Sequence, residues 1–305
     1  MDSILRWGID LITVVQQVRS PLLDGLFKAI TFLGDEEAYL LILPLLFWCV
    51  DWRMGTRVGA IFLLSTFVNV GLKDVLKQPR PFDLEPSVAV SYAEGYGLPS
   101  GHSQGAVVLW GAVAAWARKR WVWAVALLLM LLIGFSRIYL GVHFPTDVFV
   151  GWVLGALLLG AYLLWGPGVE RWLARLPLWT HLLLGALLPP LLLATHPVKD
   201  STAAMATLCG LGVGVPLMAR FAPLAAPRGW WERLARYVLG LAVTLLLYIA
   251  LKALFPGEES GFYLPFRFLR FALLGLWVSL GAPWLFRVAR LSRGAEDTLP
   301  GALEA

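Results

Sequence analysis

Nine long apolar runs, at about 36–51, 56–77, 101–118, 121–140, 147–166, 178–195, 203–222, 235–254 and 268–288, dominate the pattern along the chain. Each comes near the roughly 17–25 residues that a helix needs to cross a bilayer. The pattern predicts an all-α polytopic transmembrane bundle of about nine crossings, with the first crossing short enough to be tilted or to start earlier. Residues 4–33 differ: "LRWGIDLITVVQQVRSPLLDGLFKAITFLG" is amphipathic and broken at Ser20-Pro21. It reads as an interfacial or re-entrant segment, with a spanning helix as the alternative.

This layout divides the chain into an N-terminal segment (1–35), a core of about five crossings (36–166), a linker (167–177), a four-helix extension (178–291) and a tail (292–305). The linker falls in "GPGVERWLARLP", which is amphipathic and flanked by Pro and Gly. No short-period repeat is present.

Composition agrees with the pattern. Hydrophobic residues make up 59% of the chain and charged residues 15%, against about 25% charged in a soluble domain. Cys49 and Cys209 lie inside apolar runs, where a thiol acts as a small hydrophobe. Arg6 stands without a compact basic start, and Gln16, Gln17, Arg19 and Pro21 interrupt the apolar stretch, so a cleavable signal peptide is not expected. The net charge of +5 points to topology rather than to nucleic acid, because in a membrane protein the distribution of cations sets orientation.

With alternate crossings, one side receives fourteen cations: Arg53, Arg57, Arg118, Lys119, Arg120, Arg171, Arg175, Arg220, Arg228, Arg233, Arg236, Arg287, Arg290 and Arg293. The other receives eight: Lys73, Lys77, Arg80, Arg137, Lys199, Lys252, Arg267 and Arg270. The richer side is therefore expected in the cytoplasm. The poorer side also carries the acidic stretches "GDEE" and "PGEESG". His102 and His143 fall on that exoplasmic side.

Three separated stretches meet there. "KDVLKQPRP" ends the second crossing, "PSGH" begins the third, and "SRIYLGVHFPTD" joins the fourth to the fifth. Lys73, Arg80 and Arg137 supply three cations, and Arg forks match phosphate oxygens bidentately. Ser100 adds a hydroxyl. A helix beginning at Gly101 aims free N–H groups at the same point, and the glycine admits a close backbone approach. His143 and Asp147, one helical turn apart, suit an imidazole held in one tautomer by a carboxylate. His102 arrives on another helix, where it can protonate a departing oxygen. Taken singly, each feature is an interfacial anchor, a helix start or a surface pair. Their convergence at one membrane end is what points to an anion site. A metal held by the two histidines and the aspartate is the competing idea, and three cations around them would repel a divalent ion.

Lys-x6-Arg-Pro, Pro-Ser-Gly-His and Ser-Arg-x5-His-x3-Asp, in this order, resemble the three motifs of the phosphatidic acid phosphatase type 2 superfamily. That superfamily also includes vanadium haloperoxidases and undecaprenyl pyrophosphate phosphatases. The resemblance covers about 36–166 and leaves the last four crossings outside. It implies that His143 is the nucleophile and forms a phosphohistidine, that Asp147 orients it, and that His102 is the general acid. Lys73, Arg80, Ser100, Gly101 and Arg137 would bind the phosphate, with no metal and no cofactor. "YGLPSGH" is similar to the sphingoid-base phosphate branch.

The expected function is that of an integral membrane lipid phosphatase, in a bacterial cytoplasmic membrane with its site facing outward. A phosphomonoester or pyrophosphate lipid would be the substrate. The bilayer is the expected partner, nucleic acid is not, and the oligomeric state is left open. Three rivals stand beside this expectation: a phosphotransferase using the same residues, a lipid transporter on the last four crossings, and, least favoured, a haloperoxidase. The extension lacks a charged midplane cluster, which counts against transport. Gly101, Gly105, Gly151 and Gly155 form small-xxx-small pairs read as packing within the chain, with dimerisation as the lesser alternative. Lys252, Arg267 and Arg270 flank an exoplasmic loop and could touch a lipid headgroup, but snorkelling explains them more cheaply.

Overall fold

The structure, a computed structural model, describes residues 3–292. The predicted tail at 292–305 lies outside the described residues from 293 onward. Among the described residues all regular structure is helical. The first helices in chain order are α1 (Ser3–Gln16), α2 (Pro21–Phe32), α3 (Glu36–Leu45), α4 (Trp52–Leu76), the short α5 (Pro81–Leu84) and α6 (Gly101–Ala117). They are followed by α7 (Arg120–Tyr139), α8 (Pro145–Leu173), α9 (Leu178–Leu193), α10 (Lys199–Phe221), α11 (Trp230–Leu254), α12 (Tyr263–Leu276) and α13 (Ala282–Val288). A π-helical turn, Leu46–Val50, continues α3, and a second, Trp277–Gly281, joins α12 to α13.

All nine apolar runs are helical. Among the described residues, six helical stretches are long and apolar enough to cross a membrane: Trp52–Leu84, Arg120–Tyr139, Pro145–Leu173, Lys199–Phe221, Trp230–Leu254 and Tyr263–Val288. The protein is an integral membrane protein.

The N-terminal segment breaks where the sequence predicts. Ser20 caps α2, its hydroxyl accepting from the Leu23 amide at 3.3 Å, and Pro21 occupies the first helical position, where no N–H is needed. At 14 and 12 residues, α1 and α2 are each too short to span a bilayer.

By its internal contacts the chain forms two compact units, one made of residues up to Leu40 with Leu64–Pro167, the other of Leu41–Leu63 with the chain from Gly168 on. In the first unit α6 packs on α7, and α1 and α2 also pack on α7. Ile12 of α1 joins Val88, Ile138, Phe144 and Val148 in a buried cluster. The Gln16 amide donates to the Val88 and Tyr139 carbonyls at 2.9 and 2.8 Å. These contacts tie α1 to the loops around residue 143.

Two glycines of α8 let it approach α6 closely. A Cβ on Gly151 would stand 2.6 Å from the Ser100 carbonyl oxygen, and one on Gly155 2.8 Å from that of Gln104. Both neighbours are backbone and cannot swing aside, so packing within the chain accounts for this pair. A buried amide network joins α4 to α6. Gln104 Nε2 donates to the Ser65 carbonyl and hydroxyl at 2.8 Å, and Asn69 Nδ2 donates to Gln104 Oε1 at 2.8 Å. Such side-chain bonds hold helices together where lipid offers no hydrophobic drive.

In the second unit α10 packs against α9 and α12. A Cβ on Gly212 would come within 2.7 Å of the Gly185 Cα, so the α9–α10 contact is close to backbone on backbone. Trp48 is buried here, its indole N–H donating to the Val278 carbonyl at 2.8 Å. Arg236, counted above among the loop cations, is fully buried. It is paired with Glu232 at 2.7 Å and donates to the carbonyls of Leu291 and Ala225.

Candidate active site

Every predicted site residue lies in the first unit. Lys73 sits in the last turn of α4, and Arg80 caps α5 with its backbone N–H held by Asp83 at 2.8 Å. Ser100 caps α6. Its hydroxyl accepts from the Ser103 amide at 3.4 Å and from the Ser103 hydroxyl at 3.0 Å, which starts the helix at Gly101 as the sequence predicts. The amides of Gly101 and His102 thus belong to the first turn, ahead of the i→i−4 ladder. Arg137 is in the last turn of α7. His143 lies in the turn before α8, and Asp147 in the first turn of that helix.

His143 and Asp147 are buried, at 1% and 0% exposure. His143 Nδ1 is 3.2 Å from Asp147 Oδ2, and its Nε2 is 3.2 Å from Arg80 Nη1. A guanidinium N–H can only donate, so Nε2 is the acceptor and the ring proton sits on Nδ1, donated to the carboxylate. That tautomer leaves the lone pair of Nε2 directed at the Arg80 fork. Asp147 is itself fixed: Oδ2 accepts the Phe144 amide at 2.9 Å and Oδ1 accepts Gln78 Nε2 at 2.6 Å. Burial first, then the charges of Arg80, Arg137 and Lys73 and the nearby His102, push the His143 imidazole well below its usual value. It is therefore neutral near pH 7.

The two arginines are held differently. Arg80 donates from Nε to the Gly95 carbonyl at 2.7 Å, from Nη2 to Glu94 at 2.7 Å and from Nη1 to Val142 at 3.0 Å. Main-chain oxygens thus fix its plane, while one N–H on Nη2 has no acceptor among the described residues. Arg137 is 6% exposed and donates from Nη1 to Thr31 Oγ1 at 2.6 Å. Its Nε is buried with no acceptor among the described residues. Buried donors rarely go unpaired, and each such case asks for a ligand or another explanation.

His102 has a partner that the sequence does not announce. Its Nε2 is 2.7 Å from Asp35 Oδ1, at the turn between α2 and α3. Gly34 makes room for the ring, since a Cβ there would stand 2.6 Å from His102 Cδ2. Partial burial opposes ionisation of Asp35, but the hydrogen bond from His102 and the charges of His102 and Arg137 hold its carboxyl below the usual range. Asp35, Thr31 and Gln78 are the functional neighbours that sequence reasoning missed. Asp35 belongs to the acidic stretch at residues 34–37, and Gln78 sits inside the first motif.

The arrangement is one neutral imidazole with its lone pair directed at a guanidinium, a second imidazole on a carboxylate, and guanidiniums with unused donors. The chain is similar to known proteins. Residues 55–171 match the PAP2 superfamily, and residues 202–294 match the PAP2 superfamily phosphatase transmembrane extension, so the later helices have their own place in the family. The phosphatidylglycerophosphatase B of Bacillus subtilis is 31% identical over 46% of this chain and 74% of its own length. The lipid phosphate phosphatase delta of Arabidopsis thaliana is 29% identical over 51% of this chain, which spans only 41% of that plant protein. The bovine glucose-6-phosphatase 3 is 27% identical over 93% of this chain and 96% of its own length. By these matches, the chain is an integral membrane member of the PAP2 superfamily of phosphatases.

Proposed function

We propose that the chain hydrolyses a lipid phosphomonoester or pyrophosphate through a phosphohistidine on His143. The observation that carries this reading is the His143 imidazole, neutral, with Nδ1–H on Asp147 and Nε2 facing Arg80. In the first step Nε2 bonds to phosphorus as the bond to the lipid oxygen breaks, and His102 gives that oxygen a proton. Asp147 stabilises the cationic ring that results. In the second step water bonds to phosphorus, the P–N bond breaks, and His102 takes the water's proton. Lys73, Arg80 and Arg137, with the Ser100 and Gly101 end of α6, hold the phosphoryl oxygens. The unpaired Nε–H of Arg137 is one of the donors awaiting them. This chemistry asks for no metal.

A second reading is favoured by one observation, the likeness over 93% of the chain to a protein named glucose-6-phosphatase 3. In that reading the substrate is a water-soluble sugar phosphate, and the extension belongs to the same whole. A phosphate-release panel separates the two. It compares phosphatidic acid, phosphatidylglycerol phosphate, sphingoid-base phosphate, undecaprenyl pyrophosphate and glucose 6-phosphate, each with excess chelator. A lipid phosphate is expected to be turned over fastest, with no loss in chelator. Preference for glucose 6-phosphate would select the second reading, and loss in chelator restored by a divalent metal would overturn the histidine mechanism.

We propose further that all nine apolar runs cross the membrane and that the site faces outward, in a bacterial cytoplasmic membrane, because fourteen cations against eight favour that orientation. In a background lacking Cys49 and Cys209, Tyr92→Cys is expected to react with an impermeant thiol reagent on intact cells. Lys119→Cys is expected to react only after permeabilisation. The opposite pattern would place the site on the cytoplasmic face.

A further inference from the structure

Asp147 has no exposed surface, so bulk water cannot supply the donors its carboxylate needs, and the chain must supply them. Oδ2 has two, the His143 ring N–H at 3.2 Å and the Phe144 amide at 2.9 Å. Oδ1 has one, the Gln78 side-chain amide at 2.6 Å. Gln78 is thus the only side chain besides His143 that donates to this carboxylate among the described residues.

The backbone around Gln78 is built to place it there. α4 ends at Leu76, and Lys77 takes a left-handed conformation, φ +49°, which residues other than glycine seldom adopt. The Lys77 amide closes the last turn on the Lys73 carbonyl at 2.8 Å. The carbonyl of Gln78 accepts the Gly97 amide at 2.8 Å. A Cβ on Gly97 would stand 3.1 Å from both Asp147 Oδ2 and the Pro79 carbonyl oxygen, so a glycine lets this loop lie against the carboxylate. Three residues on, the Ser100 amide donates to the Asp147 carbonyl at 3.0 Å. Gln78 therefore belongs to the first motif, is pinned by the loop ahead of the second and is bonded to the third.

The side chain supplies a donor without a charge. Arg80 and Lys73 already act on Asp147, and the charges of Arg80, Arg137 and Lys73, with His102, act on the His143 ring. A further cation at Oδ1 would compete with the imidazolium for the carboxylate, and an anion would repel the carboxylate. With no donor at all, Oδ1 would be a buried charge left unsatisfied, the unfavourable half of a broken hydrogen bond. The carboxylate would then turn toward another donor and away from His143.

We propose that Gln78 is a positioning residue for phosphoryl transfer, its amide holding Asp147 so that Oδ2 meets His143 Nδ1. The inference rests on the reading of His143 as the nucleophile. Gln78 acts through Asp147, so its loss slows the step that makes the ring cationic and leaves the phosphate pocket of Lys73, Arg80 and Arg137 in place.

The test compares Gln78→Met and Gln78→Glu with the full-length parent in detergent, on nitrophenyl phosphate. Gln78→Met is expected to lower kcat by about 10–100-fold, by analogy with residues that orient the ligands of metals. KM and vanadate affinity should stay within about twofold of the parent, since ground-state binding is untouched. A glutamate donates when protonated and cannot when ionised. The activity of Gln78→Glu, taken as a fraction of the parent at the same pH, is therefore expected to rise as the pH is lowered and the new carboxyl takes up its proton. That variant keeps the size of the side chain and carries the test alone if Gln78→Met does not fold. A fraction that is constant with pH, or vanadate affinity lost in step with kcat, would overturn the inference. Acid rescue together with inversion at phosphorus would remove the nucleophile reading and keep Gln78 on Asp147, with the held imidazole acting as a base.

Discussion

His143→Ala is expected to remove phosphate release from lipid and nitrophenyl substrates alike, by on the order of 10⁴-fold or more, as when the nucleophile of a coupled constellation is lost. The reason is geometric. Nε2 is directed at the Arg80 fork, and a buried carboxylate fixes the tautomer that frees it. Better leaving groups do not help, because without the ring there is nothing to receive the phosphoryl group. The variant leaves Arg80 with its three carbonyl partners, so the phosphate pocket should persist and vanadate should still bind. Turnover of nitrophenyl phosphate within tenfold of the parent would show that water attacks phosphorus directly.

His102→Ala is expected to fail differently. A general acid matters in proportion to the need of the leaving group for a proton. A lipid alkoxide needs one as the bond breaks, and a nitrophenolate leaves without it. The loss on the lipid phosphate should therefore exceed that on the nitrophenyl ester by on the order of 10²–10⁴-fold, the usual span of acid catalysis. Asp35 acts through this imidazole, 2.7 Å away, and is a positioning residue. Asp35→Asn should show the same substrate dependence at smaller size, about 10–100-fold, by analogy with histidines oriented on metals. A merely structural contact would depress both substrates equally. Equal losses in both variants would make His102 a phosphate ligand rather than the acid.

Much of this was legible in the sequence, and the limits have physical causes. The nine apolar runs could be located because a bilayer demands a long uninterrupted stretch, and all are helical in the structure. Ser100 before Gly101 announced the start of α6, since a serine cap is local chemistry. The His143–Asp147 spacing was readable for the same reason, although the pair closes through the turn ahead of α8 rather than along one helical face. Asp35 and Thr31 were not readable. They reach His102 and Arg137 only because α2 packs back on α7, and nothing in an amphipathic segment reveals the helix it will meet. Arg267 and Arg270 were misjudged for a related reason. A cation near a helix end snorkels if its face is open, and here the Lys199 carbonyl engages Arg267 while the rings of Tyr248 and Phe271 cover Arg270.

The central claim is that hydrolysis runs through two displacements at phosphorus, the first by His143. The stereochemical course, followed with a phosphorothioate monoester made chiral by two oxygen isotopes and hydrolysed in water carrying the third, tests it most directly. Each in-line displacement inverts the phosphorus, so two predict overall retention of configuration, and overall inversion would contradict a phosphohistidine intermediate.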